Sequence, residues 1–576
     1  MDLLEKYKEI LIEGLEEKYH SQDLQAISFE LPRNKSHGDF STNAALVISK
    51  KNNVDSDIIF NDIKNIFNKI DDFQNIEITK SGFINFLIKD VVLQNFLFDI
   101  LKNKKNFGKK NIGKNKKVNI EYVSANPTGP LHVGHTRGAV FGDTLSNILE
   151  FVGYDVCREY YINDSGEQIN NLARSAHFRY LQSLNNTDEN IPEGLYPGEY
   201  LISLGEDLNK KFNSQFQDCS EDEWIDLFKD ESINFVMELI KKDLSLLNIK
   251  HDVFTSERNL LTENKVSKTF ELLDKKNLLY EGTTKPPKGS KKEKWNEEKH
   301  ILFKSKDFGD DEDRVVKKHN GQWTYFMPDI AYHLNKYERG FTKMINIFGA
   351  DHSGYITRMK AAVKAITDEN ANFEIKTCQL VRLSRAGEPV KMSKRSGSFI
   401  TLKEIIEEVG RDAVRFMMVS RKNDAQLEFD FEVFKNENND NPVFYIQYAH
   451  ARISSLIKNA SNKLGLKLND KELLNSDLSL LINENEKNII MLLTNYPKII
   501  EQSAMFMEPH RIPYYLRELS SSFHQYWNLK LDDKRILIID DKNKDLSLAR
   551  ITLLRAIAIT IKSGLSLLGI EALDEL

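Results

Sequence analysis

The 576 residues carry 80 Lys and Arg against 86 Asp and Glu, a net charge of −6, with 40% hydrophobic and 29% charged residues. A chain this long exceeds one hydrophobic core and predicts about three or four domains, while its acidic balance excludes a globally basic nucleic-acid binder and confines any polyanion contact to local patches. No apolar run is long enough to span a bilayer, the charged start MDLLEKYKEILIEGLEEKY lacks a signal-peptide core, and Cys157, Cys219 and Cys378 form no CxxC, so a cytoplasmic protein with neither a disulfide framework nor a thiolate zinc site is expected.

Residues 1–108 mix two periodicities: LLEKYKEILIEGLEEKY places apolar residues at helical spacing, and SGFINFLIK, residues 81–89, reads as a strand. They form an expected α+β domain. Within it FELPRNKSHGDFSTNAA, residues 29–45, gathers Arg33, Lys35 and His37 near Phe29 and Phe40, a mixture that suits phosphate contact and base stacking and equally suits a solvated loop with structural phenylalanines. The next stretch, KNKKNFGKKNIGKNKK at 102–117, is rich in lysine and asparagine with almost nothing to bury, and reads as a linker. Its GKKNIGKN nearly matches a phosphate-binding GxxxxGK[ST] loop but fails twice. Asn115 stands where a metal-binding hydroxyl is needed, and KVNIEYV follows as a strand where a helix should open.

From Val118 the order is strand, turn, helix: VNIEYVSA, NPTGPLHVGH, then TRGAVFGDTLSNILEFVG with Gly153 past its end. VCREYYI supplies a second strand. This opens a parallel α/β unit over 109–165, whose ligand site belongs beyond the carboxyl ends of its strands. Residues 166–320 interrupt it with mostly helical segments such as EWIDLFKDESINFVMELIKKDLSLL and a solvated loop at TTKPPKGSKKEKWNEEK. Strand, turn and helix return in KMINIFGADHSGYITRMKAAVKAI, within 321–380, as the second half of the nucleotide fold, and a basic loop follows in 381–440. From 441 to 576 the pattern is almost wholly helical, from NPVFYIQYAHARISSLI to LARITLLRAIAITIKSGLSLLGI, and predicts a bundle.

Chemistry concentrates at two places. His132 and His135 in NPTGPLHVGH sit where strand gives way to helix, where unsatisfied backbone N–H groups and the positive helix end favour an anion, and Gly134 clears space for its close approach. A metal clamp lacks a third ligand nearby, with no HExxH and no cysteine pair; an inert turn is the remaining alternative. Two imidazole donors so placed suit charge developing on an ATP α-phosphate as a carboxylate displaces pyrophosphate. The second place is PVKMSKRSGSFITLKEIIEEVG, residues 389–410, with Lys391, Lys394 and Arg395 in a Ser- and Gly-containing loop, Thr401 and Glu404 as a capping box, and Gly410 to end the helix. Alone it is equally a solvated basic loop. Paired with the histidine turn, mobile lysines that close over the β- and γ-phosphates make sense of both.

HVGH resembles the HIGH signature and KMSKR the KMSKS signature of class I aminoacyl-tRNA synthetases, and ANPTGPLHVGH, REYYINDSGEQI, TYFMPDIAYH, FGADHSGY and NPVFYIQYAHARI are similar, in order, to blocks of the bacterial-type arginyl-tRNA synthetase family. The resemblance implies a Rossmann-type α/β catalytic core with a parallel sheet, an N-terminal α+β domain, a stem-contact region with the basic loop, and a C-terminal all-α bundle. It implies activation of L-arginine with ATP to arginyl-adenylate and pyrophosphate, then transfer to the 3′-terminal ribose of the cognate tRNA with release of AMP. Mg2+ with ATP, no zinc or other bound metal, and a monomer are implied as well. By the same carry-over His132, His135, Lys391 and Lys394 are catalytic, Pro130, Gly134, Met392 and Ser393 join them around ATP, and Glu121, Ser124, Asn126, Tyr325, Asp329 and His352 contact arginine. Val133 replaces the signature isoleucine and Arg395 the second signature serine, and neither change disturbs the assignment.

Asp329 is the natural partner for a planar guanidinium. Pro328-Asp329 ahead of IAYHLNKYERG also reads as a helix cap, and the match of Tyr325 and Asp329 to the family's Y-x-x-x-D favours the first reading. The family further implies that the first domain meets the tRNA elbow, through Arg33 and Phe40, and that the helical end meets the anticodon, through Tyr445, Gln447, Tyr448 and His450. Tyrosines at i and i+3 share a helix face, so several of these are expected to face the bundle core. Three competing readings remain: another class I synthetase, a tRNA-free nucleotidyltransferase, and a non-catalytic RNA binder.

Overall fold

The structure is a computed structural model that describes residues 2–32, 34, 37–283, 298–390, 400–436, 438–465, 468–532, 538–540 and 542–575. The chain divides into two compact units, Asn111–Lys435, and Met1–Lys110 with Asn436–Leu576.

The unit Asn111–Lys435 is built on a five-stranded parallel sheet in the order Asn372–Cys378, Lys343–Gly349, Lys117–Glu121, Asp155–Ile162, Val253–Ser256. Parallel strands are covered on both faces, which is why VNI and MINI read as continuous apolar runs with buried Val118, Ile120, Met344 and Ile345. Later strands add on one side at Asp155–Ile162 and on the other at Lys343–Gly349, so the topological switch point falls between Lys117–Glu121 and Lys343–Gly349. Register sets Glu121 opposite Asn346 at that point, and both polar side chains are buried. Helix Val133–Phe151 makes the first crossover. It packs close to the sheet's exit loop because Gly142 has no side chain; a Cβ there would lie 2.3 Å from Tyr122 Cγ.

The interrupting segment is helical at Glu167–Asn185, Tyr200–Phe212, Glu221–Leu246, Glu257–Thr262 and Lys265–Lys275, as expected. Two features correct the reading. Val253–Ser256 rejoins the central sheet as its edge strand, and Leu279–Thr283, Lys299–Phe303 and Arg314–Lys317 form a separate antiparallel sheet. These strands are four or five residues long and only partly buried, too short for a period of two to stand out. Most of the polar stretch between the first two, residues 284–297, lies outside the described residues.

The second unit carries a four-stranded antiparallel sheet in the order Phe29–Glu30, Phe40–Thr42, Ile84–Ile88, Phe73–Ile78, and the long helices Pro442–Leu464, Glu484–Met505, Arg511–Asp532 and Lys544–Leu567. The expected linker at 102–117 is a correction. Phe107 is buried and stacks on Tyr496 with centroids 5.5 Å apart, and Lys110 sets its ammonium 2.8 Å from Asp2 and 2.5 Å from Glu501, with Glu5 at 3.8 Å. Those three carboxylates are close enough together to hold a metal ion, but the lysine already sits among them. Among the described residues no helix is long and apolar enough to cross a membrane.

Candidate active site

At the carboxyl end of Lys117–Glu121 the backbone turns through Val123 and Ser124, both left-handed at φ +71 and +39. A β-branched residue in that region is strained, and side chains hold the turn. Ser124 Oγ donates to Glu121 Oε1 at 3.1 Å and accepts from the Tyr161 N–H at 3.1 Å, while the Tyr160 hydroxyl donates to the Ala125 carbonyl at 2.7 Å. Further on, the Leu131 N–H donates to Asp243 Oδ2 at 2.9 Å. Helix Glu221–Leu246 of the interrupting segment therefore fixes the approach to the histidines.

His132 caps helix Val133–Phe151: its Nδ1 accepts from the Gly134 N–H at 3.1 Å, and its own N–H donates to His135 Nδ1 at 3.4 Å. Each ring uses Nδ1 as acceptor, which assigns the neutral tautomer that carries its proton on Nε2. The rings stack with centroids 3.9 Å apart, and burial together with His132 pushes His135 down to about 3, against the pull of Asp351. Two neutral donors at the positive end of a helix suit phosphate oxygens. Gly134 has a second reason to be glycine, since a Cβ there would lie 2.9 Å from His132 Cε1 and displace the ring.

Lys391, Met392, Ser393, Lys394 and Arg395 lie outside the described residues, but the anchors of their loop are described. Before it, the Val390 N–H donates to the Leu383 carbonyl at 2.9 Å. After it, the Val133 N–H donates to the Ile400 carbonyl at 3.3 Å and the Leu402 N–H to the Leu131 carbonyl at 2.9 Å, so the loop's exit pairs backbone to backbone with the histidine turn. Thr401 and Glu404 form the expected capping box of helix Leu402–Val409. Buried Arg137, on the histidine helix, donates to the carbonyls of Gln379, Lys422 and Ala425 at 2.9, 2.9 and 2.7 Å, tying that helix to the segments beside the loop.

Asp329 lies in the first turn of helix Phe326–Glu338, yet Tyr325 and not Asp329 occupies the cap, which removes the capping alternative. Its carboxylate accepts from the Tyr355 hydroxyl instead. Burial raises it to about 7; the Tyr355 bond and Lys336 work against this, and Glu257 and Glu121 add to it. Among the described residues no cation forms an ion pair with it. Buried Glu121 does have one, Lys336, with Nζ at 2.6 Å. Ser124 bonds to Glu121, and the charge of Glu121 is felt at Asp329, so the three belong to one polar cluster. Tyr325 is 75% exposed with its hydroxyl over Gly166, Asn126 is exposed and donates to Gln168 Oε1 at 2.9 Å, and Pro130 is half-buried. His352 is exposed, 3.6 Å from Asp351, and its turn Ala350–Tyr355 sends Tyr355 inward in its place.

Known proteins match this arrangement along the whole chain. Residues 5–88 match the arginyl tRNA synthetase N terminal domain, 97–459 the class I tRNA synthetase (R) catalytic domain, and 446–576 the DALR anticodon binding domain. The arginine–tRNA ligase of Parvibaculum lavamentivorans is 46% identical over 554 residues, 96% of this chain and 95% of that one, and that of Agrobacterium fabrum is 43% identical over 564 residues, 98% and 96%. The chain belongs to the arginyl-tRNA synthetase family. The enzyme is an arginine–tRNA ligase that uses ATP to join arginine to tRNA through a class I catalytic domain. The three competing readings fall with this result. Thermus thermophilus arginyl-tRNA synthetase shares the fold, with a TM-score of 0.75 over 100% of both chains at 19% identity.

On the synthetase's tRNA side the structure corrects three residues. Phe40 is fully buried, packed with Tyr7, Phe29 and Phe86 in the core of the N-terminal sheet, so no base reaches it. Gln447 and His450 are buried too, donating to the carbonyls of Glu571 and Leu573 at 2.9 and 2.8 Å. Tyr445 and Tyr448 are half-exposed on the neighbouring face, with Tyr448 stacked between Phe444 and His524. Arg33 lies outside the described residues. Sequence reasoning missed Tyr355, Lys336, His333 and Asn346. A signal was present for two of them: Asp329, His333 and Lys336 stand at i, i+4 and i+7, a polar stripe on one face of an otherwise apolar helix.

Proposed function

We propose that the carboxyl ends of Lys117–Glu121 and Lys343–Gly349 hold L-arginine and ATP side by side. Glu121, Ser124, Asn126, Tyr325, Asp329 and His352 make the arginine end. Pro130, His132, Gly134 and His135, with Lys391, Met392, Ser393 and Lys394, make the ATP end. The observation that carries the assignment is Asp329, a half-buried carboxylate held by the Tyr355 hydroxyl, without an ion-pair partner among the described residues, that keeps its proton to about 7. A guanidinium supplies the missing charge and five N–H donors in one plane. Lysine brings the charge without the fork, leaving acceptors unmet, and is rejected on that ground.

In the first step the arginine carboxylate attacks the α-phosphorus, the bond to the bridging oxygen breaks, and pyrophosphate leaves. The Nε2–H groups of His132 and His135 meet charge growing on the α-phosphate oxygens, and because both rings are neutral they donate without a prior change of protonation. Lys391 and Lys394 take the β- and γ-phosphates, a role supported by the pairing of Ile400 and Leu402, which follow them in sequence, with the histidine turn. In the second step a terminal ribose hydroxyl of tRNA attacks the activated carbonyl and AMP leaves. Mg2+ would be held by the ATP phosphates, where it would offset their negative charge, and no residue of this chain is assigned to it. Tyr445 and Tyr448 serve the anticodon and Arg33 the elbow; the enzyme works as a cytoplasmic monomer, with the domain divisions at 108, 165, 320, 380 and 440 read from the sequence.

Amino-acid-dependent ATP–pyrophosphate exchange, run with and without total tRNA, should respond to arginine alone and only when tRNA is present. Exchange with another amino acid, or none at all, overturns the reading. Asp329→Ala should raise the arginine KM by about 100-fold or more and leave the ATP KM near wild type; unchanged arginine dependence in a merely less stable protein would remove Asp329 from the pocket.

A further inference from the structure

The two carboxylates at the arginine end are compensated differently. Lys336 is fully buried, with Nζ 2.6 Å from Glu121 Oε2, 3.2 Å from Asn346 Oδ1 and 4.2 Å from the centroid of the Tyr332 ring. It stands seven residues beyond Asp329 on helix Phe326–Glu338, two turns along the same face. Buried His333 lies between them. Its Nδ1 donates to the Asp329 carbonyl at 2.8 Å, which leaves Nε2 to accept from Asn346 Nδ2 at 3.0 Å. A continuous chain of contacts therefore runs from Glu121 through Lys336, Asn346 and His333 back to the turn that bears Asp329.

A buried ammonium is costly unless it is paired. This one is paired with a member of the substrate pocket instead of a structural acid. Glu121 and Lys336 cancel as a pair, which leaves Asp329 to match one guanidinium, while Glu257, which accepts from Tyr161 and Ser165 and is itself pushed up by burial, adds to the field on Asp329. Without the ammonium, two like charges would converge, and each would raise the other's affinity for a proton.

We propose that Lys336 is a positioning residue that sets the charge of the arginine pocket, neutralising Glu121 so that Asp329 alone is left to pair with the substrate guanidinium. The proposal rests on the assignment of Glu121 and Asp329 to arginine. Facing Asp329 are the Tyr355 hydroxyl, with Arg358 against that ring, then Tyr161, Glu257, Glu121 and Lys336, and neutral His333 beneath. Of these, Glu257 and Glu121 favour the protonated carboxyl and Lys336 opposes it.

Lys336→Gln keeps a donor toward Glu121 and removes the charge. In the full-length enzyme with saturating tRNA and ATP, the arginine KM is followed against pH. Lys336→Gln should raise that KM at pH 7 by about fivefold, the effect of moving the midpoint up from about 7 by about one pKa unit, and move the pH below which KM climbs to a more alkaline value, with kcat and the ATP KM unchanged. Lys336→Arg should restore both. Glu121→Gln removes the opposite charge and should move the pH midpoint toward acid, an outcome that can be read even where Lys336→Gln fails to fold. A wild-type KM and midpoint in well-folded Lys336→Gln overturn the proposal, as do midpoints that move the same way in both variants. Loss of arginine dependence in Asp329→Ala beside a wild-type Lys336→Gln refutes Lys336 alone; intact arginine dependence in Asp329→Ala refutes the pocket assignment beneath it.

Discussion

Asp329 ties stability and substrate binding to pH with opposite signs. Burial raises its carboxyl from 3.8 to about 7 in the folded enzyme, so between those values the folded state holds a proton that the unfolded chain has released. Stability therefore falls as pH rises through that window and reaches its full deficit above about 7. On the proposed pairing of Asp329 with the guanidinium, arginine needs the anion, and its binding should weaken as pH drops below about 7. Asp329→Asn should stabilise the arginine-free enzyme at pH 8 by about 1–3 kcal/mol, change little near pH 4, and lose arginine activation throughout. Thermal melts at the two pH values check this, and a variant less stable than wild type at pH 8 contradicts it. His135, pushed down to about 3, titrates too low to shape activity near neutrality, so on the proposed pairing the acid limb of kcat/KM for arginine is expected to follow Asp329. At this scale the carboxylates proposed for arginine, Glu121 and Asp329, stand in stretches that the sequence singles out. Their partners were hidden because Tyr355 and Lys336 reach Asp329 and Glu121 only through the packing of helix Phe326–Glu338 on the sheet.

Elements whose ends are decided by neighbouring residues were legible. The T-x-x-E box at Thr401 and Glu404 forms as the spacing requires, and strand, turn and helix follow one another from Lys117 to Phe151. The failures share a cause. The Lys- and Asn-rich stretch at 102–117 looks solvated until Tyr496 and Glu501, some four hundred positions away in sequence, supply a ring for Phe107 and a carboxylate for Lys110; the short strands at 253–256 and 279–317 take their identity from partners and not from their own pattern. The histidine turn also carries an element-scale prediction. Gly134→Ala puts a methyl 2.9 Å from His132 Cε1, forcing the ring off its cap position while leaving the helix core untouched. We expect kcat to fall by about 10² to 10³ with a loss of stability of about 1 kcal/mol. Wild-type kcat in that variant would show that the ring's placement is not what the glycine protects.

Across the molecule, the order of strand-rich and helix-rich segments foretold an α/β core with an α+β part before it and a helical part after it in sequence. Which polar residues of the helical part face inward was not readable. Helix Pro442–Leu464 is buried on more than one side, so apolar Ile446, Ala449 and Ile453 share its interior with Gln447 and His450. Those two take the carbonyls of Glu571 and Leu573 as acceptors, and Ser454 Oγ adds a bond to Asp574 at 3.0 Å. The last residues of the chain therefore hold the helix that presents Tyr445 and Tyr448. Deleting the residues beyond Ile570 would remove the carbonyls that Gln447 and His450 bond to, at about 1–3 kcal/mol each, and let that face shift. The tRNA KM should rise and the helical part should melt earlier, while the arginine and ATP KM values at saturating tRNA should hold. A tRNA KM equal to that of the intact enzyme would mean that the tail stabilises the helix without shaping the surface that meets RNA.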